Sequence, residues 1–153
     1  MEQYAKADAE EAFEQTLEAV ASLAVRLTEQ GYAVGLTTNG VLFGETPGMI
    51  PVARSLQQLP AILELLARLK MESRGSLLET MEQGSSLSWG LTGVVFSYQE
   101  DQATAMIRRY FERRRVPVVS FVCGLPPRPA DGEREVRDKV YGLNEIALPF
   151  PLR

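Results

Sequence analysis

The sequence predicts an α/β fold, a doubly wound and mostly parallel sheet with flanking helices, Rossmann-like in architecture. Three observations carry that expectation. Helix-like and strand-like segments alternate in the order helix, strand, helix, helix, strand, helix, strand. The run at 116–123, VPVVSFVC, is almost continuously apolar, as a strand covered by helices on both faces would be. Finally, Phe13, Leu17, Val20, Ala24 and Leu27 recur at three- and four-residue steps ahead of Gly31, a helix stripe followed by a stop signal.

The first helix should span about 9–30. Residues 1–30 hold seven acids against two bases, most of them off the apolar stripe, which predicts a solvated face. Residues 32–38, YAVGLTT, then read as a short buried strand. Within GLTTNG (35–40) the glycines have the spacing of a phosphate-binding loop, but Val41 and Leu42 stand where such a loop needs Lys and Ser or Thr. Asn39-Gly40 between apolar runs instead predicts a hairpin turn. A second long helix covers about 56–70, with Leu59, Ile62, Leu63, Leu66 and Leu69 as its stripe and Pro60 tolerable only in its first turn. Ser76-Leu-Leu-Glu79 has the pattern of a capping box opening a shorter helix that Gly84 ends.

Residues 91–98, LTGVVFSY, form the second expected strand, and Asp101 can cap the helix at about 102–115 with Ala105, Ile107, Tyr110 and Phe111 inward. After the third strand at 116–123, the segment GLPPRP (124–129) must be loop, and 140–152 could add an edge strand or a packed tail. The whole, 1–153, reads as a single α/β domain.

Composition removes several chemistries. There is no histidine, which excludes Ser-His-Asp and Cys-His catalysis and histidine zinc sites; any metal would be a hard cation on oxygen ligands. Cys123 is the sole cysteine, ruling out an internal disulfide, and reads as a small core hydrophobe. The net charge of −4 argues against a general nucleic-acid binder. No secretory signal is visible, and the longest uncharged run, 83–99, falls short of the about 20 apolar residues of a membrane span. Arg108, Arg109, Arg113, Arg114 and Arg115 gather at one helix end, where cations complement the helix dipole or could meet an anionic surface. Trp89 reads as a core-edge residue.

Open α/β sheets bind at the carboxyl ends of their strands. Thr37, Thr38 and Asn39 end the first expected strand and Ser97 and Tyr98 the second, so these five form a candidate interaction rim. A rival reading uses the same crevice for a small ligand or a magnesium-dependent enzyme, with Glu100 and Asp101 as acids.

The segments EQTLEAVASLAVRLTEQGYAVGLTTNG, SLQQLPAILELLARLK, LTGVVFSY and VPVVSFVC together resemble the C-terminal part of the bacterial "domain of unknown function 58" proteins. The first segment carries most of it: Ala-Ser-Leu-Ala at 21–24, the Gly31 break and the Val34-Gly35-Leu36 strand. That family is similar to von Willebrand factor A domains, which implies an A-like fold truncated before its first strand, hence a piece of a larger protein. The Asp-x-Ser-x-Ser metal motif of that strand is absent here, and the second strand closes with Ser97-Tyr98 rather than an acid. No metal ligand or cofactor is therefore carried over, magnesium belonging only to an intact parent. The resemblance further implies a protein-interaction scaffold, on the cytoplasmic side of a parent membrane-anchored through upstream segments, without nucleic acid or membrane contact of its own. Its implied partner is a protein, with MoxR-type AAA ATPases as the associated class. A missing first strand would leave open sheet edges, implying a homo-oligomer unless the C-terminal segment fills the gap.

Overall fold

The computed structural model describes residues 1–42, 48–84, 90–123 and 140–143. The chain divides into two compact units, Met1–Ser86 and Leu87–Arg153. Both mix helices and strands, so the α/β class stands.

The first unit opens with α1 (Glu2–Lys6) and α2 (Glu10–Glu29). Tyr4 of α1 packs its ring edge-on to Phe13, centroids 5.7 Å apart. The Thr16 hydroxyl spends its proton on Ala12 O at 2.8 Å, so the buried contact of 2.9 Å between the two hydroxyls has Tyr4 donating to Thr16. Strands β1 (Val34–Thr37), β2 (Gly40–Leu42) and β3 (Met49–Ala53) follow, then α3 (Gln58–Arg68), β4 (Leu69–Ser73) and α4 (Leu77–Gly84). The expected stripe of α2 meets that of α3: Ala24, Ile62 and Leu66 are buried together, with Leu17, Val20, Ala21, Val34, Leu36, Ile50 and Leu59 packed around them. The capping box of α4 is present in part as read. Glu79 Oε2 accepts from the Ser76 N–H at 3.3 Å, while Ser76 Oγ accepts from the Leu78 N–H at 3.1 Å.

Two expectations for this unit need correction. β1 pairs antiparallel with β3, and β2 pairs antiparallel with β4. The described strands therefore form three separate sheets, two of them antiparallel pairs, rather than one mostly parallel sheet. Asn39-Gly40 is likewise no hairpin turn, because it carries the chain from the β1–β3 ladder into the β2–β4 ladder. The β1–β3 register slips between Val34 and Leu36. Gly35 sits in that irregularity, where a Cβ would come within 2.7 Å of Val52 N and 2.8 Å of Ile50 O. Gln58, at the start of α3, completes the repair: its buried amide nitrogen donates to Val34 O at 2.6 Å and Pro51 O at 2.7 Å.

The second unit contains β5 (Gly93–Ser97), α5 (Gln102–Arg113), β6 (Val118–Val122) and β7 (Val140–Gly142), with strand order β5-β6-β7, all parallel. Here the parallel strand expected within 116–123 is present, but not buried on both faces: Ser120 and Val122 on one face are buried, while Val119 and Phe121 on the other are half-buried. The edge strand within 140–152 is also present as β7, the residues beyond 143 lying outside the described ones. The register aligns Val95, Ser120 and Val140 on one face and Phe96, Phe121 and Tyr141 on the other. The first row is buried. On that face Phe111 of α5 lies so close over Gly93 that a Cβ would meet its ring at 2.8 Å. The second row is an aromatic ladder, with centroids 5.3 Å apart for Phe96–Phe121 and 5.8 Å for Phe121–Tyr141.

Helices α1, α2 and α5 end alike. In each, the second residue past the helix has positive φ (Asp8 48°, Gly31 79°, Arg115 56°). Paired backbone bonds close the turns: Ala9 to Tyr4 and Asp8 to Ala5, Tyr32 to Leu27 and Gly31 to Thr28, Val116 to Phe111 and Arg115 to Glu112. These are Schellman motifs, and only Gly31 meets their φ requirement without steric penalty. Arg115→Gly is accordingly expected to raise stability by about 0.5–1 kcal/mol, read as a higher urea midpoint at unchanged slope. A lowered midpoint would assign the Arg115 side chain a stabilising contact larger than the strain.

Candidate functional site

Thr37, Thr38 and Asn39 lie in the Met1–Ser86 unit, and Ser97 and Tyr98 in the Leu87–Arg153 unit. In the first set, Thr38 is buried, 7% exposed, with its N–H on Gly48 O at 3.1 Å and its Oγ1 accepting from the Gly40 N–H at 3.0 Å. Asn39 is half-buried; its side-chain amide donates to Gly75 O at 3.1 Å and its carbonyl accepts from the Arg74 N–H at 3.0 Å. Thr38 and Asn39 thus hold the passage from β1 to β2 in place. Thr37, half-buried, is the remaining polar side chain of this strand end.

In the second set, the parallel register brings Ser97, Val122 and Gly142 level at the carboxyl ends of β5, β6 and β7. Ser97 is buried and accepts through its carbonyl from the Cys123 N–H at 3.0 Å, tying two strand ends together. Tyr98 follows, half-buried, at the start of the turn into α5.

That turn engages the two acids of the rival reading. Asp101 Oδ1 accepts from the Thr104 N–H at 2.9 Å, and Thr104 Oγ1 accepts from the Asp101 N–H at 2.8 Å. This reciprocal capping box also supplies a negative charge where the helix dipole favours one. Glu100 is ion-paired with Arg108 at 2.7 Å. A carboxylate engaged with a helix end or a guanidinium is poorly placed to move protons or hold magnesium. Among the described residues no group of three or more His, Cys, Asp or Glu side chains is placed to hold a metal ion.

The arginine cluster at the end of α5 disperses into separate roles. Arg108 takes Glu100, Arg114 stacks its guanidinium 3.7 Å above the Tyr110 ring, and Arg115 turns the helix end. Arg109 and Arg113 are exposed. The Tyr110 hydroxyl beneath Arg114 is buried and finds no hydrogen-bond partner among the described residues. No described helix is long and apolar enough to cross a membrane. Trp89 and the 124–129 loop lie outside the described residues.

Two arrangements escaped the sequence reading. Gln58 gave no signal, because a lone glutamine at a helix start has no sequence mark of a strand clamp. The aromatic row was detectable in part, since Phe96 and Phe121 each sit centrally in an apolar run; aligning them requires the strand register. No protein-family model, curated protein or solved structure matches the chain.

Proposed function

We propose that the chain is a protein-interaction module of von Willebrand A-like kind that docks a protein at the carboxyl ends of its strands. The level ending of β5, β6 and β7 supports this reading, because it brings three carboxyl strand ends together at one end of a parallel sheet. Tyr98 supplies the polar contact at that end, while Thr37 and Asn39 end a strand of the other unit and are a separate candidate surface. Thr38 and Ser97, being buried, act beneath them by fixing the backbone. The engagement of Glu100 and Asp101 in an ion pair and a helix cap favours docking over chemistry at the same end. The resemblance of the helix and strand segments to the family named above makes a MoxR-type AAA ATPase the partner to test, with no cofactor needed on this chain.

The test titrates a purified MoxR-type AAA ATPase against the labelled chain, and against Thr37→Ala and Tyr98→Ala variants whose circular dichroism is unchanged. Saturable binding, weakened about ten-fold or more by Tyr98→Ala (about 1.4 kcal/mol), is the expected result. Equal affinity of both variants and the parent chain overturns the rim, and absence of saturable binding overturns the partner class.

A further inference from the structure

The β5 edge of the parallel sheet carries an inference that does not depend on the strand-end rim. The Gly93 N–H donates to Pro117 O at 2.8 Å, and Ser97 O accepts from the Cys123 N–H at 3.0 Å. The odd-numbered residues of β5 therefore turn their backbone groups toward β6. In an extended strand the residues between them turn the other way. Val94 and Phe96 thus present two N–H and two C=O groups at an edge where no described strand pairs, β7 having taken the far side of β6. The strand itself carries none of the protections that sequence and register can give. GVVFS contains no charge and no proline, and its register with β6 runs without a bulge.

We propose that this edge pairs with the same edge of a second copy, β5 against β5 and antiparallel, about a two-fold axis through Val95. In that register Val94 faces Phe96 of the partner subunit, and Phe96 faces Val94 of the partner subunit. Each facing pair exchanges two hydrogen bonds, so all four edge groups on each copy are satisfied. A parallel pairing would not be self-complementary and could not close as a dimer. The side chains agree with the backbone. Val94 is apolar yet 37% exposed, and it shares the Phe96–Phe121–Tyr141 face. Pairing would place a β-branched side chain against an aromatic one across the axis, a favourable cross-strand combination, and would join two three-stranded sheets into one of six. No charged side chain within the strand meets its own copy.

The experiment is a concentration series of the whole chain by sedimentation velocity, alongside amide exchange at low and high concentration. The parent chain is expected to move from monomer to dimer, with the Val94 and Phe96 amides gaining protection together. Val94→Pro removes an outward N–H without touching the β6 ladder and should leave a monomer of unchanged circular dichroism. Val94→Lys, the milder variant, should weaken the dimer about ten-fold or more, by setting two charges at the seam. A parent chain monomeric throughout the series overturns the proposal. So does a dimer that persists in both variants or leaves the two amides unprotected, and so does protection that arises only when a different protein is added. Tyr98→Ala should not alter the dimer, which separates this outcome from that of the rim.

Discussion

Ile62→Ala is expected to lower the free energy of unfolding by about 3–4 kcal/mol, near the middle of the range for deleting a buried aliphatic chain. Ile62 is 1% exposed and lies at the contact of α3 with α2, beside Ala24 and Leu66. The cluster it belongs to is packed by residues from two helices and two strands: Leu17 and Val20 from α2, Leu59 from α3, Val34 and Leu36 from β1, Ile50 from β3. Such a site collapses poorly, because elements that converge from different directions cannot all move in to fill one void. Urea denaturation followed by circular dichroism would show a lowered midpoint with an unchanged slope. Leu63→Ala, one position along and 38% exposed, is the control and should cost much less. Similar losses for the two would mean that α3 buries a different face.

Gln58→Leu should destabilise by about 2–3 kcal/mol although it exchanges a polar group for an apolar one of similar size in a buried place. The gain from apolar burial is outweighed by the state of the partners left behind. Val34 O and Pro51 O lie where the β1–β3 register slips, and both receive a hydrogen from the Gln58 amide. Without it both acceptors would lose that donor in a place where water does not readily replace it. Gln58→Glu is a sharper variant, since a carboxylate there would oppose two carbonyl oxygens. The same denaturation experiment decides the matter: a Gln58→Leu protein as stable as the parent would mean that the bulge relaxes to pair the two carbonyls within the ladder.

The features that could be read from the sequence are those governed by short-range periodicity or local capping. The α2 stripe, the Asp101 cap, the Ser76–Glu79 pair and the strands around Val95 and Ser120 each lie within a few residues of the signal that announces them. β4 was missed because LKMES follows α3 directly, and Leu69 continues the helical stripe as readily as it begins an alternating strand. The turn at Asn39-Gly40 was misread for a different reason. Its local chemistry is that of a hairpin, but the Asn39 amide and carbonyl are taken by Gly75 and Arg74, far along the chain. Long-range bonds outweighed a local preference worth about 1 kcal/mol or less. For the candidate site, the sequence could say which residues end a strand. Whether a hydroxyl there is exposed, like a rim, or buried, as for Thr38 and Ser97, depends on what covers the strand end, and no spacing rule encodes that.

The passage of the chain out of one ladder and back bears on the order in which the first unit assembles. β1 and β3 meet across the segment between Thr37 and Met49, whereas β2 and β4 meet across the much longer segment between Leu42 and Leu69, which includes all of α3. Loop closure makes the longer encounter entropically dearer by about 0.8 kcal/mol, before the placing of a whole helix is counted. β2 also lies inside the shorter loop, so closing β1 on β3 confines it before β4 arrives. This order predicts a folding transition state that contains α2, β1 and β3, with α3 docking on them through Ile62. On that order the β2–β4 ladder would form on the native side of the barrier, so weakening it is expected to hasten unfolding while leaving the rate of folding nearly unchanged, as folding and unfolding rates of a β2–β4 variant would show.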